Sequence, residues 1–273
     1  MTRAWRRLGL AAALLLVGAG LAPIYVALVS SVSPEARIFA APSLVPTAFV
    51  ADHYRALFDA RDFWLPIRNS LVVSGATTVL AVVAGGLCAY AIVRLRFRGK
   101  AFILAMVLAV SMFPQIAIVA PLYLVLRQVG LIDTYPGLVL PYLTFAMPLS
   151  IWLLVGFFRQ LPLEIEDAAL MDGATRFQAL RHVVVPLALP GIAATAILTF
   201  LYCWNEFLFA LSFTLGPERQ TVPVAIALFR GQYQVPWGQV LAGAIVATIP
   251  VALIVLVAQR RIVQGLTAGA VRG

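Results

Sequence analysis

The stretch EDAALMDGATRFQALRHVVVPLALP, residues 166–190, is a polar interruption between long apolar segments. Just before it, Pro162 can occupy the first position of a helix, because the missing N–H has no helical partner there in any case. Acidic side chains follow in the first turns of this helix, where they interact favourably with the positive end of the helix dipole. Asp172-Gly173 should end the helix, since glycine readily takes the left-handed conformation common at helix C-termini.

A second short helix is predicted directly after this turn. Thr175 and Gln178 fit a capping box, with threonine as the N-cap and glutamine at the third helical position. The helix is expected to run to the residue before Pro186, where Pro186 and Pro190 separate it from the next apolar segment. Residues 162–186 should therefore form two short helices joined by a sharp glycine turn.

The chain as a whole has the composition of a membrane protein. Of its 273 residues, 62% are hydrophobic and 11% are charged, whereas soluble domains carry about 25% charged residues. A helix needs about 20 apolar residues to cross the hydrocarbon core of a bilayer. Six runs are long enough, and they predict an all-α, polytopic membrane protein with six transmembrane helices. These runs comprise residues 8–32, 70–93, 102–126, 137–158, 191–215 and 240–258.

The distribution of basic residues predicts how these helices are oriented. With the N-terminus inside the cell, thirteen of the twenty lysine and arginine residues fall on the cytoplasmic side and seven outside, as the positive-inside rule requires. The basic turn RLRFRGK, residues 94–100, contributes most to this difference. Both termini and the stretch 166–190 are therefore expected in the cytoplasm. The first run exceeds the usual apolar length of a signal peptide, about 7–15 residues, so we expect a retained helix.

Other classes of function fit the sequence poorly. The net charge of +9 does not indicate nucleic-acid binding, because the basic residues lie at the ends of apolar runs rather than on one face. Cys88 and Cys203 lie inside apolar segments and the two histidines add no ligand spacing, so no metal site is expected. Arg94 stands where a phosphate-binding loop before Gly99-Lys100 would need its first glycine, so the chain itself is not expected to bind ATP.

The polar stretch also differs from a helical hairpin that merely lies on lipid. Such a hairpin should be rich in lysine and arginine, whereas residues 159–190 contain three arginines and four acids, for a net charge of −1. Ala168 and Ala169 leave room for the close approach of another surface, and Phe177 and Leu180 offer an apolar anchor. A protein partner is the better inference.

The spacing of these residues resembles a known motif. Permease subunits of binding-protein-dependent ABC importers carry a cytoplasmic loop of pattern E-A-A, three residues, G, nine residues, I-x-L-P. Residues 167–173 match its first part, with aspartate for glutamate, and residues 183–186 match its end, with valine for isoleucine and leucine. The likeness covers nearly the whole chain and is closest to the smaller permease subunit of maltose-type importers. Features similar to the sugar importers are PLEIEDAALMDGA, Asn69-Ser70, Trp204-Asn205-Glu206-Phe207 and the terminal GLTAGAVRG.

This resemblance implies the type I ABC importer permease fold in a bacterial or archaeal plasma membrane. The implied partners are a second homologous permease, two cytoplasmic ATPase subunits, an external solute-binding protein, membrane lipid and a sugar. The chain would be no enzyme and would need no cofactor, since ATP hydrolysis belongs to the ATPase subunits. The implied domains are an N-terminal transmembrane helix (1–33), an external loop (34–66), the permease domain (67–260) and a cytoplasmic tail (261–273).

The resemblance also implies a mechanism for the polar stretch. In this family the two helices dock into a cleft on the ATPase subunit, and ATP-driven closure of the ATPase dimer switches the spans between inward-facing and outward-facing states. The coupling residues implied within 162–186 are Glu166, Asp167, Ala168, Ala169, Asp172, Gly173, Phe177, Leu180 and Pro186.

Three glycines recur every fourth residue after the last apolar run, at Gly265, Gly269 and Gly273. Taken alone, this spacing is most typical of a frayed terminus, because such a glycine repeat packs helices only inside lipid. The resemblance to the maltose-type subunit instead implies that the tail enters the ATPase dimer interface.

Glu206 is the one acid within an otherwise apolar run. A charge in lipid is costly, so such residues usually face protein or water. Its position near the outer end of the run fits a structural pairing and a role at the external mouth of the translocation pathway equally well. The neighbouring Asn205, with Tyr202 and Trp204 nearby, could hydrogen-bond to and stack on a sugar, although the three side chains cannot all face one way.

Other solutes and other transport classes stay open at this point. An oligosaccharide such as maltose or trehalose is the leading expectation, with glycerol-3-phosphate or another small solute as the alternative. An ion-coupled secondary transporter usually needs ionisable groups near the bilayer midplane, and Glu206 lies too far outward for that role. A membrane-embedded enzyme would need paired acids or a nucleophile with its base, and no span carries them. An assembly scaffold is the other alternative, which transport that persists without this chain would favour.

Overall fold

The computed structural model describes residues 3–39, 45, 48–229 and 235–270. Throughout these residues the ordered elements are helices, and no strand is present among them, as the all-α prediction requires. The helices are α1 (Arg3–Ser31), α2 (Asp52–Arg55), α3 (Trp64–Arg94), α4 (Lys100–Ser111), α5 (Gln115–Gln128), α6 (Tyr135–Gln160), α7 (Leu163–Met171), α8 (Arg176–Ala179), α9 (Val185–Trp204), α10 (Leu208–Phe213), α11 (Val222–Ala227) and α12 (Trp237–Ala270).

Long apolar helices account for most of the predicted spans. Within the described residues, five are long and apolar enough to cross a membrane, and one bent pair of shorter helices makes a sixth candidate. Apolar side chains of the first helix are widely exposed, as lipid contact requires; Leu15 and Leu16 are 74% and 75% exposed. The five candidates are Gly9–Ser31, Trp64–Arg94, Tyr135–Gln160, Arg176–Trp204 and Trp237–Val257.

The third predicted run is not a single helix. Instead of spanning residues 102–126 without a break, the chain forms α4 and α5, which are bent by 92°. Pro114 precedes α5 with extended backbone angles. A proline has no N–H to continue a helix and disfavours helical geometry in the residue before it, so the helix stops here.

The predicted separation of α8 from the next span is wrong. A π-helical turn, Leu180–Val184, connects α8 directly to α9, and Arg176–Trp204 is one continuous helix. Pro186 lies in the first turn of α9, where the wide turn before it has already displaced the hydrogen-bond ladder. Pro190 lies inside α9, which membrane helices tolerate when neighbouring groups satisfy the freed backbone.

Two compact units make up the chain. The first contains Met1–Trp64 and Ala225–Pro250, and the second contains Leu65–Val224 and Val251–Gly273. In the second unit, α6 packs most extensively against α9 and also contacts α4 and α10. One apolar cluster of this unit surrounds Tyr142 and Phe209, and a second joins α3 and α6 to the π-helical turn after α8.

The segment predicted as an external loop, residues 34–66, contains short helical turns in the first unit, and α3 already begins at Trp64. The carboxylate of Glu35 accepts a hydrogen bond from the backbone N–H of Gly238 at 3.0 Å. A Cβ at Gly238 would lie 2.3 Å from the His53 ring, so any larger residue would have to displace that ring. The described part of the segment thus packs against the start of α12.

In the second unit, Asn69 of α3 is hydrogen-bonded to the loop between α10 and α11. Its side chain is fully buried and donates to the carbonyls of Glu218 at 2.9 Å and Gln220 at 3.0 Å. The hydroxyl of Tyr135, at the start of α6, donates to the Asn69 oxygen at 2.7 Å. Each polar atom of the Asn69 amide therefore has a partner, as burial demands.

The predicted C-terminal tail begins inside a helix. Helix α12 continues to Ala270, so Gly265 and Gly269 occupy helical positions, while Gly273 lies outside the described residues. A role of these three glycines at an ATPase interface stays a prediction.

Candidate functional site

The glycine turn of the polar stretch has the predicted form. Helix α7 begins after Pro162, which is the N-cap rather than the first helical residue. At the other end, the N–H of Gly173 donates to the carbonyl of Leu170 at 3.1 Å, and that of Ala174 donates to Ala169 at 3.0 Å. These bonds form a Schellman motif. Gly173 has a φ of +88°, which side-chain-bearing residues adopt only with strain.

The predicted capping box of the second helix is confirmed. The N–H of Gln178 donates to the Thr175 hydroxyl at 3.3 Å, and the N–H of Thr175 donates to the Gln178 side chain at 2.7 Å. Helix α8 therefore begins at Arg176, three residues beyond the glycine turn. We call residues 162–186 the α7–α8 hairpin, because α7 packs against α8 and the turn that follows.

Most of the predicted coupling residues lie on the surface of this hairpin. Ala169 is half-buried, and Glu166 and Leu180 are buried. The exposed members are Asp167, Ala168, Asp172, Gly173, Phe177 and Pro186.

Glu166 faces the interior of the second unit rather than a partner. The hydroxyl of Tyr90 donates to one oxygen of its carboxylate at 2.5 Å. The other oxygen lies 3.1 Å from Nε of Arg94. Both partners belong to α3, so Glu166 attaches the start of α7 to that helix, and its charge is not available on the surface.

The predicted apolar anchor is divided between surface and core. Phe177 is 65% exposed, whereas Leu180 is 8% exposed and belongs to the cluster that contains Phe158 and Val184. Leu180 is buried because it begins the π-helical turn of the continuous helix, and this turn packs against the core.

Three exposed apolar residues of α7 were not predicted as part of the site. Leu163 and Ile165 are 54% and 44% exposed, and Met171 is 88% exposed. Unpaired apolar side chains of this size on a short helix mark an interaction surface when they are grouped. The sequence signal was available for Met171, a large apolar residue directly before the predicted helix stop at Asp172-Gly173, and it is the last residue of α7.

Glu206 caps a short helix. Its run is broken after Trp204, and Glu206 lies between α9 and α10. The side-chain oxygens accept hydrogen bonds from the N–H groups of Phe209 at 2.8 Å and Ala210 at 3.1 Å. The residue is 7% exposed. A carboxylate in this position satisfies donors at a helix N-terminus that have no helical acceptor.

Asn205 lines an open depression of about 640 Å³ together with Gln115, Tyr202 and the edge of Glu206. Its amide donates to its own helix, at the Leu201 carbonyl, at 2.8 Å. The Tyr202 hydroxyl accepts from Gln115 at 2.6 Å. These polar groups share a surface that is otherwise apolar.

Trp204 does not join this group. It is 4% exposed, and its ring stacks on that of Phe200 with centroids 5.7 Å apart. The three candidates near Glu206 therefore separate, as expected from their spacing: Tyr202 and Asn205 face the depression, and Trp204 is in the core.

Glu206→Gln should lower thermal stability. Glutamine keeps one acceptor oxygen but turns an N–H₂ donor towards a backbone N–H donor, and one unsatisfied buried group costs about 1–3 kcal/mol. Thermal unfolding of the purified complex measures this loss, while uptake per assembled complex should stay unchanged. Glu218→Gln, at an exposed carboxylate, is the control. Unaltered stability with reduced uptake would instead favour a direct role in the pathway.

Comparison with known proteins identifies the family. Residues 81–268 match the sequence profile described as binding-protein-dependent transport system inner membrane component. The trehalose transport system permease protein SugB of Mycobacterium tuberculosis is 47% identical over 95% of both chains. The trehalose/maltose transport system permease protein MalG of Thermococcus litoralis is 38% identical over 90% of this chain and 89% of that protein.

A solved structure has the same fold. One chain of a bacterial ABC transporter involved in the import of the acidic polysaccharide alginate superposes with a TM-score of 0.77, over 95% of this chain and 98% of that one. At 24% identity this likeness concerns the fold alone. The predicted ABC importer permease fold is confirmed, and the chain belongs to the family of binding-protein-dependent transport system inner membrane components.

Proposed function

We propose that this chain is one of two permease subunits of an ATP-driven sugar importer and that the α7–α8 hairpin couples it to an ATPase subunit. The observation that carries this proposal is the hairpin surface. It combines small residues, an ordered glycine turn and exposed apolar side chains on a segment with a net charge of −1 across residues 159–190.

The hairpin surface is suited to a protein cleft. Met171 and Phe177 are its most exposed large apolar side chains, and side chains of this kind act as anchors in interface pockets. Ala168 is exposed on the same helix, three residues before Met171, so the backbone of α7 can approach a partner closely. Asp167 and Asp172 add negative charge at the rim, which favours a basic partner surface.

The helix that follows the hairpin supports transmission of movement. Because α8 continues through the π-helical turn into α9, Arg176–Trp204 is a single helix. A displacement of the hairpin by the ATPase therefore reaches a membrane span through one continuous helix. ATP can shift the equilibrium between the two states of the permease only by as much as the closed ATPase dimer differs in its affinity for them.

The remaining partners follow from the same assignment. A second permease subunit completes the translocation pathway, two ATPase subunits bind on the cytoplasmic side, and an external binding protein delivers the solute. Both termini and the hairpin are then cytoplasmic. The ATPase subunits hydrolyse ATP, and this chain performs no chemical step itself.

A sugar is the proposed solute because similar proteins are named for sugars. The names of the two relatives described above specify trehalose and trehalose or maltose. The depression with Asn205 and Tyr202 has the polar and aromatic groups that a carbohydrate uses. We assign Asn205 to the pathway, with Glu206 at its edge acting by capping α10 rather than by contacting the solute. Trehalose or maltose is our leading candidate, ahead of glycerol-3-phosphate.

Reconstitution tests the proposed function. The chain is co-expressed with its partner permease, ATPase and binding protein, and the complex is placed in liposomes with ATP inside. We expect uptake of labelled trehalose or maltose that needs both ATP and the binding protein. Labelled glycerol-3-phosphate serves as the competing solute. Uptake that a proton or sodium gradient drives without ATP would contradict the proposal.

A further inference from the structure

Three polar side chains that the mechanism above does not use meet in the interior of the second unit. The Tyr90 hydroxyl donates to Glu166 Oε1 at 2.5 Å, and Arg94 Nε lies 3.1 Å from Glu166 Oε2. The side chains of Arg94 and Glu166 are 4% and 5% exposed. A buried Arg94–Glu166 ion pair therefore lies at the start of the α7–α8 hairpin, and Tyr90 is hydrogen-bonded to the other carboxylate oxygen of Glu166. We call it the Tyr90–Arg94–Glu166 cluster.

The cluster joins the ends of three helices. Tyr90 and Arg94 are four residues apart on α3, so they project from the same side of that helix. Glu166 lies in the first turn of α7. Nη2 of Arg94 also donates to the carbonyl of Leu161 at 3.0 Å, and Leu161 is the residue that ends α6. One guanidinium on α3 thus contacts both the end of α6 and the start of α7.

Stability alone is a poor explanation for a buried pair of charges. Removing both charges from water offsets much of their attraction, and well-packed apolar side chains of similar volume often stabilise a fold equally well. The pair differs from apolar packing in its geometry. Apolar surfaces can slide over one another at little cost, whereas buried charges that move apart are left without partners.

We propose that Tyr90, Arg94 and Glu166 are positioning residues that make the α7–α8 hairpin and helix α3 move as one body, an inference that rests on the proposed function. A movement of the hairpin then reaches two spans. It reaches α9 through the continuous helix, and it reaches α3 through the Tyr90–Arg94–Glu166 cluster. Without the cluster, the ATPase moves the hairpin while α3 lags behind, and ATP is hydrolysed without transport.

Glu166→Gln tests this inference in the reconstituted complex. Glutamine keeps the size of the side chain and can still accept from Tyr90, but it leaves Arg94 without a counter-charge. We expect the number of ATP molecules hydrolysed per sugar imported to rise about fivefold or more, which is the lower end of a typical coupling free energy. The ATPase rate per assembled complex should stay within about twofold of wild type.

Glu164→Gln is the matched control. Glu164 is an exposed carboxylate on the same helix, two residues from Glu166, and its substitution should leave the ratio of ATP to sugar unchanged. A merely structural role of Glu166 predicts less assembled complex but the same ratio in the complexes that do assemble. That result would overturn the inference.

A second variant covers the case in which Glu166→Gln does not assemble. Arg94→Met combined with Glu166→Gln removes both charges, so no uncompensated charge stays buried. We expect this double variant to assemble and to hydrolyse ATP with poor transport; a wild-type ratio would overturn the inference. If it does not assemble, Tyr90→Phe, which deletes one hydroxyl, is measured instead. A raised ratio of ATP to sugar supports the inference, and a wild-type ratio overturns it. Failure of the proposed function is distinct, because the wild-type complex would then show no ATP-driven sugar uptake.

Discussion

Ala168→Trp should reduce ATP-driven uptake about tenfold, because each 1.4 kcal/mol of lost affinity weakens binding of the ATPase tenfold. Ala168 is exposed on α7, so an indole at this position can point into solvent. In the proposed docking it would stand in the way of the ATPase surface that approaches the α7 backbone. Overpacking at a closely fitted contact costs about 1–3 kcal/mol. Co-purification of the ATPase and uptake in liposomes measure the loss.

Ala168 is a cleaner position for this test than its neighbours. Ala169 is half-buried, and a bulky residue there disturbs the fold as well. Gly173 has a φ of +88°, so any side chain strains the turn. Ala101→Trp, at an exposed alanine of α4, is the matched control and should leave ATPase binding intact. Normal uptake by the Ala168→Trp complex would refute docking through this surface.

Gly191→Val should strongly destabilise the protein. A Cβ at Gly191 would lie 2.4 Å from Cγ and 2.9 Å from Cβ of Phe157. Rotation of the phenylalanine ring cannot relieve both contacts, because the Cβ atom is fixed by the backbone. The clash lies between α6 and α9, the most extensive helix pair of the second unit. We expect a loss of about 1–3 kcal/mol from overpacking, measured as a lower unfolding temperature of the purified complex in detergent.

Gly156→Val provides the comparison for this experiment. Gly156 lies on α6 beside Phe157, and a Cβ there meets nothing within 4 Å in this chain. Both variants introduce the same β-branched side chain into a membrane helix, so their difference isolates the contact with Phe157. Equal unfolding temperatures for the two variants would contradict close packing of α9 on α6 at Gly191.

The amino-acid sequence was sufficient for features that depend on nearby residues. The capping box closes between Thr175 and Gln178, and the glycine turn closes between Ala169 and Ala174. Both are read from short patterns. The apolar runs are equally local, since length and composition decide whether a helix can cross a membrane. The resemblance to the importer loop could be identified by its spacing for the same reason.

Helix continuity was less predictable. Pro114 ends one helix and begins another, whereas Pro186 lies inside a continuous helix. The same residue type gives opposite outcomes because the π-helical turn before Pro186 accommodates the missing hydrogen bond, and no sequence pattern identified that turn. Packing of the turn against the core cluster stabilises it.

Sequence alone determined that this chain is a helical membrane protein with a capped hairpin between two spans, because those features arise within a few residues of chain. Tertiary structure alone decided which hairpin residues face outward. Glu166 is hydrogen-bonded to Tyr90, 76 residues away. In the same way, Asn69 is hydrogen-bonded to the carbonyl of Glu218, 149 residues away. A side chain with such a partner is buried by residues that its own neighbourhood does not specify, so its surface position cannot be read from local spacing.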